Sequence, residues 1–244
     1  MRIVLLLISG MVLFFTSCKR EVIPADDVEL GKDYFPTNTG HSVEYAVDSI
    51  IFNDFTKTID SVSYELKDVI GDAFVDDQGR NSWTVNRFRR EDSTQQWREI
   101  LSYYFTTTAF NIEVVEDNLR FIKMVFPVKP NTSWRGNAYI STNFNQEYKW
   151  LNNELWIYRY ANLSSPYSNA FTQFDNTVTV NQADITTGTP SDPDKYSDRT
   201  YSQEIYAKNV GLVYKEMTNW VYQNDIVKFR NGFTLILRAK KFTP

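Results

Sequence analysis

The sequence is poor in the residues that most reaction chemistry needs. It holds one cysteine, Cys18, and one histidine, His41, in 244 residues. One thiol cannot form an intrachain disulfide, and one imidazole cannot build a histidine-rich zinc site. A Ser-His-Asp triad would have to use His41, and no G-x-S-x-G elbow accompanies it. His41 stands in the loop-like stretch Asn38-Thr39-Gly40, which predicts a surface position. Neither a G-x-x-x-x-G-K-[ST] loop nor a G-x-G-x-x-G turn occurs, so nucleotide chemistry has no cradle. A basic surplus is also missing: 26 Lys and Arg face 30 Asp and Glu, a net charge of −4. Such a chain lacks the electrostatic footprint of a nucleic-acid binder. Arg87, Arg89 and Arg90 lie among acids and strand residues and read as a solvated strand face. No cofactor is implied, and the composition gives no reason to expect an enzyme.

What is present begins at the N-terminus. Arg2 precedes an apolar stretch from Ile3 to Phe15, broken only by Ser9 and Gly10. A bilayer span takes roughly 20 residues, so this run has the length of a signal-peptide core instead. Phe15-Thr16-Ser17-Cys18 resembles the bacterial lipobox. The resemblance implies cleavage before Cys18 and a diacylglycerol on its thiol, which leaves the mature domain no free cysteine. Two acyl chains, at about 0.8 kcal/mol per buried methylene, hold a protein on a membrane stably. Lys19, in place of an aspartate, favours the outer membrane of a cell envelope, with the occupied face left open.

The expected organisation is a signal peptide over 1–17, a flexible lipid-anchored tether over 18–33 and one domain over 34–244. The tether reading rests on the polar run KREVIPADDVELGKD. Beyond it the hydrophobic period is two. Val43, Tyr45 and Val47 alternate with polar neighbours, as do Val62, Tyr64 and Leu66, and Phe174, Val178 and Val180. Trp97–Phe105, Leu119–Phe126 and Phe233–Phe242 are apolar on both faces and read as covered strands. Asp117-Asn118 and Asn231-Gly232 mark turns. A short helix is expected over Tyr201–Lys208, capped by Asp198 or Thr200, and a long exposed loop over Asp184–Arg199. The fold class is mainly β: a curved antiparallel sheet or open barrel of roughly eight to ten strands with one or two short helices, the alternative being a β-sandwich.

Several residues stand out as candidate sites. Aromatics make up 16% of the chain, with six tryptophans. Trp134, Trp150 and Trp156 sit in polar surroundings and are the candidates for exposed, ligand-contacting rings. Asp192, Asp194 and Asp198 have a spacing that hard cations favour, but Pro193 intervenes and no EF-hand glycine or distal glutamate follows, so a solvated loop is expected and no metal site. Asp48-Ser49-Ile50, Asp60-Ser61-Val62 and Asp92-Ser93-Thr94 resemble the O-glycosylation acceptor of Bacteroidota, which implies glycans on Ser49, Ser61 and Ser93 and requires them to face solvent.

Tyr34-Phe35-Pro36 followed by Gly40 and Tyr45, and the later run from Tyr206 to Glu216 (YAKNVGLVYKE), resemble uncharacterised exported lipoproteins of Bacteroidota. The resemblance covers about a tenth of the chain and implies location and β fold, without functional residues. The expected function is therefore a non-catalytic binding or structural role on the outer membrane, in glycan capture or envelope assembly. The alternative is a periplasm-facing carrier of a lipid or other apolar ligand. Its partners would be the membrane, through the lipid, and an unknown glycan, lipid or envelope protein. A hydrolase using two carboxylates is the residual reading, marked by a deep cleft with acids of raised pKa.

Overall fold

The computed structural model describes residues 30–142, 146–151, 154–224 and 228–244. Cys18, the signal peptide and most of the tether lie outside them. Twelve strands form one antiparallel sheet: β1 (Ser42–Asn53), β2 (Thr58–Val75), β3 (Asn81–Arg90), β4 (Arg98–Thr107), β5 (Asn111–Glu116), β6 (Leu119–Val125), β7 (Ser133–Arg135), β8 (Ile157–Ser168), β9 (Gln173–Gly188), β10 (Ser197–Ala207), β11 (Gly211–Gln223) and β12 (Phe229–Thr243). Their order is β6-β5-β4-β3-β2-β1-β12-β11-β10-β9-β8-β7, a meander in which the first and last strands pair at the centre.

That order leaves β6 and β7 as edges, although they are consecutive in sequence. The sheet curls until these edges meet in a nearly closed barrel. The seam has no long ladder. Ile122 N–H donates to Gly136 O (2.8 Å), and Trp134 Nε1 donates to Ile122 O (2.8 Å). The Tyr160 hydroxyl donates to Val125 O and accepts from Val125 N–H. Closure satisfies polar groups that an open edge would expose to pairing with another chain.

The expected mainly-β fold is the observed one, with more strands than the sequence suggested. Among the described residues helix is confined to 3-10 turns at Lys32–Tyr34 and Gln146–Leu151. The helix expected over Tyr201–Lys208 is instead part of β10. Ser202, Glu204 and Tyr206 alternate toward the buried side there, so polar residues disguise a period of two. The expected loop over Asp184–Arg199 shrinks to 189–196, because β9 runs to Gly188 and β10 starts at Ser197. The turn expected at Asn231-Gly232 lies instead inside β12, where Gly232 pairs with Phe52 and Trp220 and its missing Cβ lets the β11 backbone approach.

Residues 30–36 close one end of the barrel. Val128 N–H donates to Leu30 O (3.0 Å), Asn209 N–H to Asp33 O (2.7 Å), and Lys208 pairs with Asp33 (3.2 Å). Residues 30–33, assigned from sequence to the tether, are thus docked on the domain. Phe35 enters the interior and meets Phe105 edge-on, with ring centroids 4.9 Å apart.

Candidate functional site

The barrel holds a half-open cavity of about 700 Å³. That lies within the range of small-molecule sites, roughly 300–1,000 Å³. Its walls are largely apolar. Phe35, Ile70, Val85 and Phe105 border it toward the plugged end, and Leu119, Phe121, Met217 and Phe233 elsewhere. Trp150 and Leu151, on the Gln146–Leu151 turn, and the neighbouring Trp156 also line it.

The acids Asp117 and Glu147 and the imidazole of His41 line it too, and three further acids and three bases interrupt its apolar walls: Asp68, Glu116, Glu204, Arg87, Lys123 and Lys215. They form two networks. In the first, Arg87 of β3 stands across from Asp68 of β2 in register. Its Nε and Nη2 donate to the two Asp68 oxygens (2.7 and 2.9 Å), and its Nη1 donates to Glu116 (2.5 Å). The guanidinium lies over the Tyr103 ring, whose hydroxyl donates to Asp68 (3.1 Å). Burial disfavours the Arg87 cation, but Asp68 and Glu116 outweigh it and hold its pKa well above the ordinary value.

The second network centres on Glu204, 1% exposed. Lys123 Nζ donates to its Oε1 (2.7 Å), and Gln182 Nε2 and the Tyr206 hydroxyl donate to its Oε2 (both 2.7 Å). Two bulges build this convergence. Ile122 and Met124 pair with consecutive β5 residues, which leaves Lys123 as the extra residue of β6. Ala183 and Asn181 pair with consecutive β10 residues, which leaves Gln182 as the extra residue of β9. A bulge re-aims the side chain it carries, and both bulges aim at one carboxylate. Burial would raise the Glu204 pKa, but Lys123 and Lys215 overcome it and hold the group below the ordinary value. Glu116 is lowered in the same manner, burial being opposed by Arg87, Lys215 and Lys123.

Lys215 of β11 pairs in register with Glu204. Its Nζ lies 3.9 Å from Glu204 Oε1, an ion-pair distance beyond hydrogen-bond reach. Burial and the like charge of Lys123 lower its pKa.

The residues singled out from sequence fall elsewhere than expected. Trp156 is fully buried and donates Nε1–H to Trp150 O (2.7 Å), while Trp134 and Trp150 are half-buried. None is an exposed ring, because each indole N–H or ring face finds a partner inside the fold. Trp150 and Trp156 instead border the cavity. His41 is also buried, not on the surface, and donates Nε2–H to Val210 O (2.9 Å). Arg87 is interior, against the expected solvated face, whereas Arg90 lies over the Trp97 ring beside Glu65.

Ser61 and Ser93 are exposed, and Ser49 is half-buried in a shallow groove with Ile51 and Phe233. Asp192 pairs with Lys195 (3.0 Å) and accepts from Asp194 N–H. Among the described residues no group of three or more His, Cys, Asp or Glu is placed to hold a metal, and no helix is long and apolar enough to cross a membrane.

Sequence reasoning missed the interior charges. A signal was there: a charged residue keeps the parity of apolar neighbours in Leu66-Asp68-Ile70, Val85-Arg87, Val114-Glu116, Phe121-Lys123 and Lys215-Met217.

No protein-family model matches the chain, and no curated protein matches it. Two solved structures overlap it: a Bacteroides fragilis protein described as an inferred exported protein with a YmcC-like fold, and an inferred lipoprotein of Parabacteroides distasonis. Each is 12% identical, with a TM-score of 0.38, over 86% of this chain and 98% of the other. An overlap that loose says nothing about ligand or chemistry, so the site stands on its own geometry.

Proposed function

We propose that this chain is a lipid-anchored, non-catalytic protein of the cell envelope that holds an apolar ligand inside its barrel. One observation carries the reading: the half-open cavity of about 700 Å³ with largely apolar walls. An apolar ligand entering it loses contact with water, which stabilises the complex by roughly 25 cal/mol per Å² of apolar surface buried. The anchor at Cys18 and the outer membrane as its location rest on the sequence alone.

Glycan capture drew its support from a platform of exposed rings, and Trp134, Trp150 and Trp156 do not supply one. A two-carboxylate hydrolase needs a general acid of raised pKa, whereas Glu116 and Glu204 are both held below the ordinary value.

The test is organic extraction and mass spectrometry of protein purified without detergent, paired with titration of a neutral naphthylamine dye. A co-purified apolar compound, or dye fluorescence that rises on binding and is lost in the cavity-filling Val85→Trp variant, supports the reading. A clean extract together with no dye binding overturns it.

A further inference from the structure

The charged groups of the cavity are not equally occupied. Every Arg87 donor direction that faces the acids is used: Nε and Nη2 on Asp68, Nη1 on Glu116. Lys123 is bonded to Glu204 Oε1, and Oε2 already accepts from Gln182 and Tyr206. Lys215 is the exception. Its ammonium carries three donor hydrogens, and its one ion-pair contact among the described residues is Glu204 Oε1 at 3.9 Å. Its remaining donors face the cavity, where an entering acceptor can meet them. It borders the cavity, with 17% of its side chain exposed, and Met217, Leu119 and Phe121 belong to the same lining.

The charge distribution states what those donors would take. Asp68 and Glu116 share Arg87, whereas Lys123 and Lys215 share Glu204. Glu204 is thus shared by two ammonium groups, Glu116 of the first network also acts on Lys215, and the Lys215 donors adjoin an apolar wall. We propose that the ligand is an amphiphile with a single carboxylate on an apolar tail, and that Lys215 receives its headgroup. The headgroup accepts from the Lys215 ammonium while the tail lies against Met217, Leu119, Phe121 and Phe233. A dianionic head fits less well, because Asp68, Glu116, Asp117, Glu147 and Glu204 line the same cavity. The inference rests on the cavity being the ligand site, and its test separates the two.

The experiment measures binding of dodecanoate and of dodecanol, probes with one tail and different heads, to the full mature domain. A charge-assisted hydrogen bond predicts dodecanoate tighter by about tenfold to a hundredfold. Lys215→Met should erase the preference while still binding dodecanol, and Lys215→Arg should keep it. A readout independent of any variant is the NMR titration of dodecanoate labelled at its carboxyl carbon in the wild-type complex. A carboxylate paired with Lys215 titrates below its value in water; an unpaired buried one titrates above it, which would overturn the headgroup assignment. Equal affinity for the two probes, or a preference that survives Lys215→Met, also overturns that assignment and leaves the cavity reading standing. Binding of neither probe overturns both.

Discussion

Gly211 lies directly against the Pro36 ring: a Cβ added to Gly211 would stand 3.3 Å from Pro36 Cδ. The two residues belong to separate sequence runs, Tyr34-Phe35-Pro36 and Tyr206–Glu216, which the fold brings together at the plugged end. Gly211 also has φ +90°, outside the range L side chains adopt easily. Val210 O, one residue earlier, accepts from His41, so the plug, the β10–β11 turn and the start of β1 lock one another.

Gly211→Ala should therefore cost about 1–3 kcal/mol through backbone strain, with the Pro36 contact adding to it. At this chain length about 1 kcal/mol moves Tm by roughly 2–4 °C. Thermal denaturation that leaves Tm unchanged would show that the turn relaxes without loss.

Replacing Glu204 with Leu strands Lys123 and Lys215 without their shared carboxylate. Removing one partner of a buried ion pair costs about 3–5 kcal/mol, whereas exchanging the whole group for apolar residues is often neutral. Glu204→Leu alone should be severely destabilised in urea, and the triple variant with Lys123→Met and Lys215→Met should recover most of the loss. A triple variant weaker than the single one would refute this account of the network.

Lys215→Met should raise the stability of the protein at neutral pH, because Glu204 keeps its bonded partner Lys123 when Lys215 is gone. The folded pKa of Lys215 is lowered from 10.5, so the unfolded chain binds the proton more tightly. The charged lysine thus opposes folding below its folded pKa, and the penalty fades as pH rises toward 10.5. Urea midpoints at neutral pH compare the two proteins directly; a less stable Lys215→Met protein contradicts the prediction.

Acid should weaken the fold through Glu116 and Glu204. Both folded pKa values are lowered from 4.5. Their contribution is present in full above that value and is lost as pH falls through the folded values. Stability measured downward from neutral pH should hold with respect to these groups and then fall below about 4.5. Glu204→Gln should flatten part of that fall, and an unchanged slope would exclude Glu204 as a contributor.

The buried indole of Trp156 gives an optical test. Trp156→Phe should remove emission that acrylamide cannot quench, because the ring is 0% exposed. Loss of a strongly quenched component would place the ring in solvent instead. Truncation to alanine should cost about 3–5 kcal/mol.

How far the sequence reached is clearest in β10. Alternation identifies a strand only when one face is apolar, and in β10 the buried face carries Ser202 and Glu204, so the segment passed for a helix. Trp156 failed for a related reason. Its neighbours Glu154 and Leu155 are exposed, and their character said nothing of a ring that reaches a cavity wall built by distant strands.

By itself the sequence determined the period of two in most strands, the mainly antiparallel β class, the Asp117-Asn118 turn and the signal-and-cysteine pattern of the N-terminus. Each is set by residues adjacent in the chain, through steric preference and local hydrophobic pattern. Only the tertiary structure decided which side of each strand is inside, where the bulges fall, and that Lys123, Gln182 and Lys215 converge on Glu204. Those outcomes depend on closure of the sheet between β6 and β7. A buried charge is tolerated where a partner from another strand meets it, and no local pattern records the partner.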